Sequence, residues 1–342
     1  MRNYDVVIVG AGPSGLRCAE ILSKSKLSVL LLEKNPVFGD KVCAGGITRK
    51  GFELLNIPDK VIEHKVDEVI MHSRHYYNHK YLPKPVMYTV DRRIFAEWQV
   101  QCINGGKVKI EKNARVTKIN KNRLTVNGEE EIAFEYLVGA DGPNSFVRKY
   151  LKIPVEKVLA SVQYIIPETD VKSCLKIYLD AKNFHSWYAW SFPHKNSIAV
   201  GACCNPKYLS GKQLKTNFHH WLKEKEYDIS KAKYESYPIS YDYRGLQFGN
   251  VFLTGEAAGL ASGFTGEGIY QSLVSGEEVA NLILHKNYRS EDFQYILKYN
   301  SIQHRIMEFS IKIGRGRYWL HDLIILFLRN KWVNNKISKG FS

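Results

Sequence analysis

Long apolar runs are missing from this sequence. In the tail, the unbroken run Leu323 to Leu328 falls far short of the roughly 20 residues a spanning helix needs. Paired cysteines are missing too: the six cysteines are scattered and no two share CxxC spacing, which argues against a zinc site or a disulfide framework. No metal site is expected. There is no internal repeat and no low-complexity tract. No signal peptide precedes the first strand pattern, "YDVVIVG", so a cytoplasmic, reduced protein is expected. Acidic side chains are scarce, 34 against 49 Lys and Arg, for a net charge of +15. No nucleic-acid recognition motif accompanies that charge, so nucleic acid is not the expected partner. From Lys286 to Ser342 there are 11 Lys and Arg against 4 Asp and Glu, so +7 of the charge lies there. The same tail carries "YWLHDLIILFLRNKW". Two readings stand: a basic, partly apolar helix lying peripherally on an anionic membrane surface, or a helix packed on its own protein with a solvated basic face.

At 342 residues, 44% hydrophobic and 24% charged, the chain is an ordinary globular protein long enough for two domains. It opens with "VVIVGAGPSGLRCAEILSKSKLSVLLLEK", which reads as a buried strand, a glycine turn, a helix and a second buried strand. Gly10, Gly12 and Gly15 have GxGxxG spacing: tight turn, close backbone approach to a pyrophosphate, close helix–strand packing. Pro13 and Ser14 open the helix, whose N-terminus faces the phosphates. Glu33, with Lys34 beside it, ends the second strand about 20 residues on, where a carboxylate can hold ribose hydroxyls. Strand, turn, helix, strand and acid together define a dinucleotide site.

The next segments narrow the cofactor. "NPVFGDKVCAGGI" is a glycine-rich loop with one cysteine, Cys43, followed by Ala44, Gly45 and Gly46. That cysteine is either chemical or a small packed turn residue. In "YTVDRRIFAEW", Arg92 either reaches a pyrophosphate or ribityl chain or pairs on a helix surface. "FEYLVGADGPNSFVRKYL" is a strand running into Gly139-Ala140-Asp141-Gly142 and a helix. "GNVFLTGEAAGLASGFTGEGIYQSLVSGEEVANLIL" is a strand, then Gly255-Glu256, a small-residue loop, and a helix beginning near Gly266, Gly268 and Ile269. Free amides at such a helix start suit the negative charge of a reduced flavin's pyrimidine side, and Glu256 can accept from a sugar-alcohol hydroxyl.

One further stretch, "SWYAWSFPHKNSIAVGA", lines one strand face with Tyr188, Trp190 and Phe192 and is expected to stop at Pro193. Aromatic strand faces ordinarily pack in cores.

With the three cofactor motifs in order over roughly residues 1 to 285, the chain resembles FAD-dependent oxidoreductases of the p-hydroxybenzoate-hydroxylase type. Within that superfamily, YxWxFP at Tyr188 to Pro193 and CAGG at Cys43 resemble the geranylgeranyl reductase family. The resemblance implies an α/β fold: a Rossmann-like FAD-binding domain interleaved with a substrate domain of mixed or antiparallel sheet, which roofs the flavin, and a helical C-terminal tail. The expected boundaries are 1–60, 89–150 and 246–285 for the FAD domain, 61–88 and 151–245 for the substrate domain, and 286–342 for the tail. It implies reduction of isoprenoid carbon–carbon double bonds, with Tyr188, Trp190, Phe192 and Pro193 walling a prenyl pocket. Glu33 and Arg92 take the ribose and phosphate roles, and the backbones at Cys43, Ala44, Gly46, Val116, Gly268 and Ile269 approach FAD. Cys43 becomes the candidate proton donor or shape element. The expected reductant is NAD(P)H or a ferredoxin, since no second GxGxxG is visible.

There are departures. Glu256 replaces the usual aspartate, His185 and Trp187 stand where proline and glycine are frequent, and the tail is short. The rival readings are a flavin monooxygenase or epoxidase and a noncatalytic prenyl-binding carrier. A halogenase motif is only approximated by "WYAWSFP", and the iron–sulfur cysteines of an electron-transfer-flavoprotein dehydrogenase are absent.

Overall fold

The computed structural model describes residues 1–103 and 106–329. They form two compact units, each assembled from three separate stretches of chain.

The first unit comprises 1–41, 92–157 and 240–301. Val6 to Val9 and Val29 to Leu32 are continuous buried runs, the signature of parallel strands covered on both faces. Arg2–Val9 pairs in parallel with Val29–Leu32 on one side and with Glu130–Gly139 on the other. Val108–Glu111 and Val251–Leu253 extend the parallel sheet outward. An antiparallel pair, Val116–Asn120 and Arg123–Val126, hangs from Glu130–Gly139.

The first strand therefore has neighbours reached by connections running in opposite directions. That is a topological switch point, and ligands bind at the carboxyl ends of strands there. Helix Pro13–Leu22 packs on helix Ile269–Leu284 through missing side chains. A Cβ on Gly276 would lie 2.3 Å from Ser14 O.

The second unit comprises 42–91, 158–239 and, of the described residues, 302–329. Its seven-stranded sheet runs, in spatial order, Lys233–Ser240, Val158–Pro167, Ser197–Cys204, Ala189–His194, Cys174–Tyr178, Glu68–His72, Tyr77–Tyr81. Helix Gly211–Glu224, started by a Ser210–Gln213 capping box, covers one face with Leu214, Phe218, Trp221 and Leu222. Residues 42–60, expected with the nucleotide half, belong to this unit. The reason is pairing: Gly46–Thr48 and His64–Val66 both pair with Met87–Thr89 in a small separate sheet.

Pro193 does not end its strand. Ala189–His194 continues through it, and Pro193 pairs with Ile198 of Ser197–Cys204. On the other edge, pairing with Cys174–Tyr178 stops at Ser191, so the imino acid falls where one side of the ladder is already open.

Helix Arg317–Arg329 is fastened within the second unit by its inner face. Asp322 accepts from Ser73 Oγ at 2.6 Å and hydrogen-bonds His75, while Asn78 Nδ2 donates to Leu328 O. Its outer side leaves Trp319, Leu323, Leu326 and Phe327 exposed. The remainder of the expected basic tail, from Asn330 on, lies outside the described residues. No described helix is long and apolar enough to cross a membrane.

Candidate functional site

In the first unit the carboxyl ends of four parallel strands bring the sequence-predicted residues to one end of the sheet: Gly10 after Val9, Glu33 after Leu32, Asp141 after Gly139 and Glu256 after Leu253. Backbone hydrogen bonds lock this edge. Gly10 N donates to Leu32 O, Ala140 N to Val9 O, and Thr254 N to Gly139 O.

The three glycines of the turn do different work. Gly10 sits at φ +103, and a Cβ there would lie 2.5 Å from Ala140 O. A Cβ on Gly15 would lie 2.0 Å from Gly10 O, so the helix could not close on the strand. Gly12 is different: its Cβ would meet no protein atom nearer than Ala140 O at 4.0 Å. Folding alone does not demand that glycine. The space beside it is what a ligand backbone would fill.

Glu33 is 9% exposed, and its two oxygens accept from Ala11 N and Asn35 N, both at 2.9 Å. This fixes the carboxylate while leaving lone pairs for hydroxyl donors. Glu33 O accepts from Ala114 N, which sets the course of the chain to Val116, buried at 8%. Lys34 is exposed. Ser14 is buried, packed against Gly255 and Gly276, and Pro13 occupies the first helical turn.

Among the polar atoms of this unit that are buried without a hydrogen-bond partner are three on residues the sequence singles out: Arg92 Nε, Asp141 Oδ1 and Glu256 Oε2. Buried polar groups are ordinarily satisfied, so these are spare capacity for a polar ligand. Asp141 uses its other oxygen to accept from Phe146 N and Val147 N, capping the short helix that follows. Burial pushes its carboxyl up from the ordinary range, against the Ser145 hydroxyl and those amides, which hold it down. Glu256 accepts from Lys41 Nζ at 2.9 Å through Oε1. Gly266 adopts φ +64, and Gly268 begins helix Ile269–Leu284 with no side-chain cap, so its first amides are open.

Sequence reasoning missed the brace beneath this edge. Arg148 is 1% exposed; its guanidinium donates to Pro154 O at 2.7 Å, Asp242 O at 2.8 Å and Ala257 O at 3.3 Å, beside the Asp242 carboxylate. It ties residues 153–154 and 242 to the turn that carries Glu256. The only sequence signal is the basic residue in "NSFVRKYL". Lys41, partner of Glu256, had no signal either.

In the second unit Tyr188, Trp190 and Phe192 share the sheet face opposite helix Gly211–Glu224. Tyr188 and Trp190 meet edge to face at 5.9 Å. Trp190 is 8% exposed and lies directly on Gly201, where a Cβ would come within 2.3 Å of its ring. Phe192 covers Gly46 in the same way, at 2.7 Å. Cys43 and Ala44 are held beside this face: Gln163 Nε2 donates to Cys43 O, Gly45 N donates to Cys43 Sγ, and His194, paired with Glu63, hydrogen-bonds Ala44 O. Pro193 is buried between Phe192 and His194. Cys43, Ala44 and Gly46 thus fall in the unit that carries the aromatics; the other candidate cofactor residues fall in the first unit.

A glycine turn into a helix, an acid after the second strand, and further polar ends along the same sheet edge define a flavin-type dinucleotide-binding oxidoreductase. Residues 3–306 match the FAD binding domain family, and the chain belongs to it. It is an FAD-dependent oxidoreductase. It is similar to the digeranylgeranylglycerophospholipid reductase of Methanocella arvoryzae, 29% identical over 308 residues, covering 82% of this chain and 77% of that one. In fold it is similar to a geranylgeranyl bacteriochlorophyll reductase-like protein of Thermoplasma acidophilum, with TM-score 0.79 and 20% identity, covering 97% and 92% of the two chains. A flavin-dependent brominase shares the fold at TM-score 0.73 and 17% identity, covering 99% and 93%. The FAD assignment, the α/β fold and the resemblance to geranylgeranyl reductases read from the motifs are borne out.

Proposed function

We propose that this protein reduces carbon–carbon double bonds in geranylgeranyl-type chains of lipids. The observation that carries the reading is the aromatic face of the second unit, Tyr188, Trp190 and Phe192, with Gly201 and Gly46 emptied beneath the rings. Flat apolar surface of that kind suits an isoprenoid chain and keeps water from it. The reductase similarities support the same substrate class.

In this reading Gly10, Gly12 and Gly15, with Pro13 and Ser14, hold the pyrophosphate at the helix start, and Glu33 holds ribose hydroxyls. Arg92 Nε and Glu256 Oε2, the partnerless atoms, take the phosphate or ribityl groups, and Gly266, Gly268 and Ile269 present amides to the flavin's pyrimidine side. Lys34, Val116, Asp141 and Gly255 line the same cofactor. When bound and reduced, FAD supplies a hydride. The chain's own work is to orient the alkene, exclude water through the three rings, and deliver a proton, for which Cys43 Sγ is the candidate. External electrons come from NAD(P)H or a ferredoxin. Peripheral membrane contact through the exposed apolar side of helix Arg317–Arg329 suits a lipid substrate.

A flavin monooxygenase on an apolar substrate is the second reading, favoured by the fold shared with the brominase. One anaerobic experiment separates them. With bound flavin reduced by dithionite, a geranylgeranyl lipid should reoxidise it and yield a product heavier by two hydrogens per bond. Reoxidation only on admitting oxygen, with an oxygenated product, would overturn the reductase reading. Trp190→Ala should then lower turnover more than flavin content; a fully active, fully flavinated variant would remove Trp190 from the pocket.

A further inference from the structure

Nothing in the binding of FAD or the orienting of an alkene calls for Lys41. Yet it reaches across the cofactor edge of the first unit to Glu256, 215 positions further along the chain. Its Nζ donates to Glu256 Oε1 at 2.9 Å, with 29% of the lysine side chain and 13% of the glutamate side chain exposed. The lysine is rooted in a tight turn. Gly39 sits at φ +74, where a Cβ would lie 2.1 Å from Arg92 O, and Lys41 N donates to Gly39 O at 2.7 Å. Asp40 pairs with Arg93 at 3.0 Å. The turn is thus fastened to the start of helix Arg92–Gln101, at the residue whose Nε lacks a partner.

The place where this pair lies is the informative feature, because a single ion pair with that much exposure adds little to stability. A Cβ on Gly268 would lie 3.4 Å from Glu256 Oε1, so the carboxylate stands against the start of helix Ile269–Leu284. Gly268 brings no side-chain cap, and a helix of 16 residues carries the equivalent of about +0.5 elementary charge at that end. Glu256 Oε2 is buried without a partner, which leaves it for a ligand hydroxyl while Lys41 holds Oε1.

Three charges therefore meet at one point: the positive helix end, Glu256 and Lys41. A bare carboxylate against this terminus would outweigh the helix end and leave the point negative by about half an elementary charge. Like charges a few ångströms apart oppose each other in a partly dry site, so a second negative charge would be disfavoured there. The Lys41 ammonium cancels the carboxylate and returns the point to about half an elementary charge positive.

We propose that Lys41 sets the reduction potential of FAD bound at this edge. By neutralising Glu256 it leaves the start of helix Ile269–Leu284 able to hold the negative charge of the reduced pyrimidine ring, which raises the potential. Lys41 is a positioning residue: it acts through Glu256 and needs no contact with the cofactor. The inference rests on the placement of the flavin's pyrimidine side at Gly266, Gly268 and Ile269. It is independent of the substrate, so it holds for a reductase and for a monooxygenase alike.

Midpoint potentials of the FAD-loaded full chain, read by anaerobic dithionite titration against a reference dye, test it. Lys41→Met keeps the length of the side chain, removes its charge and should keep the melting temperature. It should weaken the binding of reduced relative to oxidised FAD about tenfold or more, which lowers the potential by about 30 mV or more for this two-electron couple. Glu256→Gln should shift the potential the opposite way, and Lys41→Arg should match the parent. The double variant K41M/E256Q should return close to the parent, since the two charges leave together. A purely structural brace would not give shifts of opposite sign that cancel. An unchanged or raised potential in K41M, or a double variant no nearer the parent than K41M, would overturn the inference. Gly12→Val separates that failure from a failure of the cofactor placement: colourless protein upholds the placement, and fully flavinated protein removes it and the inference with it.

Discussion

Replacing Arg148 by methionine keeps most of the side chain's apolar length and removes the guanidinium. The structure fixes what is lost. Five hydrogen-bond contacts end on four backbone carbonyls and the Asp242 carboxylate: Ile153 O, Pro154 O, Asp242 O, Ala257 O and Asp242 Oδ2. All lie around a residue that is 1% exposed, so water cannot replace the lost donors without opening the fold. Asp242 is not orphaned, since Arg244 Nε and Glu156 N still donate to it. That places the effect at the lower part of the range for breaking a buried pair, about 3 kcal/mol. Burial already pulls the guanidinium's pKa down from its ordinary value, the mark of a charge held at a desolvation cost.

The expected phenotype is twofold. Urea midpoints should fall by an amount equivalent to about 3 kcal/mol with an unchanged slope. Flavin should dissociate more readily than the stability loss alone explains, because Ala257 O belongs to the turn that carries Glu256. Arg148→Lys should behave nearly as badly, since an ammonium cannot reach this spread of carbonyls as a planar fork does. A midpoint within the equivalent of 1 kcal/mol of the parent, with flavin retained, would refute the reasoning.

Gly12→Val should give folded, colourless protein, because its Cβ meets nothing within 4 Å except Ala140 O, whereas Gly15→Val should fail to fold, its Cβ lying 2.0 Å from Gly10 O; circular dichroism beside the flavin absorbance distinguishes them. The His185 pKa is lowered to about 4 by burial and by Arg317, so the native ring binds fewer protons than the unfolded one between about pH 4 and 6.5, and stability should fall as pH drops through that window. His185→Asn tolerates the same φ of +58 and should flatten that acid limb by about 1–2 kcal/mol, after allowance for partial exposure; an identical acid limb would disprove the assignment. Binding to anionic vesicles should weaken as salt rises, and Trp319→Ala with Phe327→Ala should weaken it further; equal binding to neutral vesicles would remove the electrostatic contribution.

The cofactor edge was legible because its signals are local. Gly10 to Glu33 is one strand–turn–helix–strand unit, and each residue's job follows from its distance to the next. What was not legible depends on pairing across the chain. Whether Pro193 stops a strand turns on which neighbour is still paired there, and only Ser197–Cys204 is. Residues 42–60 read as a continuation of the cofactor loop, yet Gly46–Thr48 finds its partner at Met87–Thr89. Arg148 and Asp242 are 94 positions apart, and Lys41 and Glu256 are 215 apart. No periodicity reports such a meeting. The tail was legible as a basic, partly apolar helix, but not that His321 and Asp322 would turn inward.

The aromatic strand illustrates how structure weighs readings that sequence leaves balanced. If Tyr188, Trp190 and Phe192 were filler for an ordinary core, they would be expected to face the helix that covers the sheet. That layer already has its own aromatics: Tyr164 and Tyr178 pack on Phe218 and Trp221, with Phe184 beside them. The residues of this strand that face it are small, Ala189 at 0% and Ser191 at 5% exposure. The large rings go to the opposite face, where Trp190 lies on Gly201 of the same sheet and Phe192 meets Gly46 of the small separate sheet. A glycine inside a strand weakens it and gains nothing for a core, so its presence under an indole marks a place where room for the ring outweighs strand stability. Two such glycines under adjacent rings favour a surface shaped for contact with a ligand over one assembled to fill space.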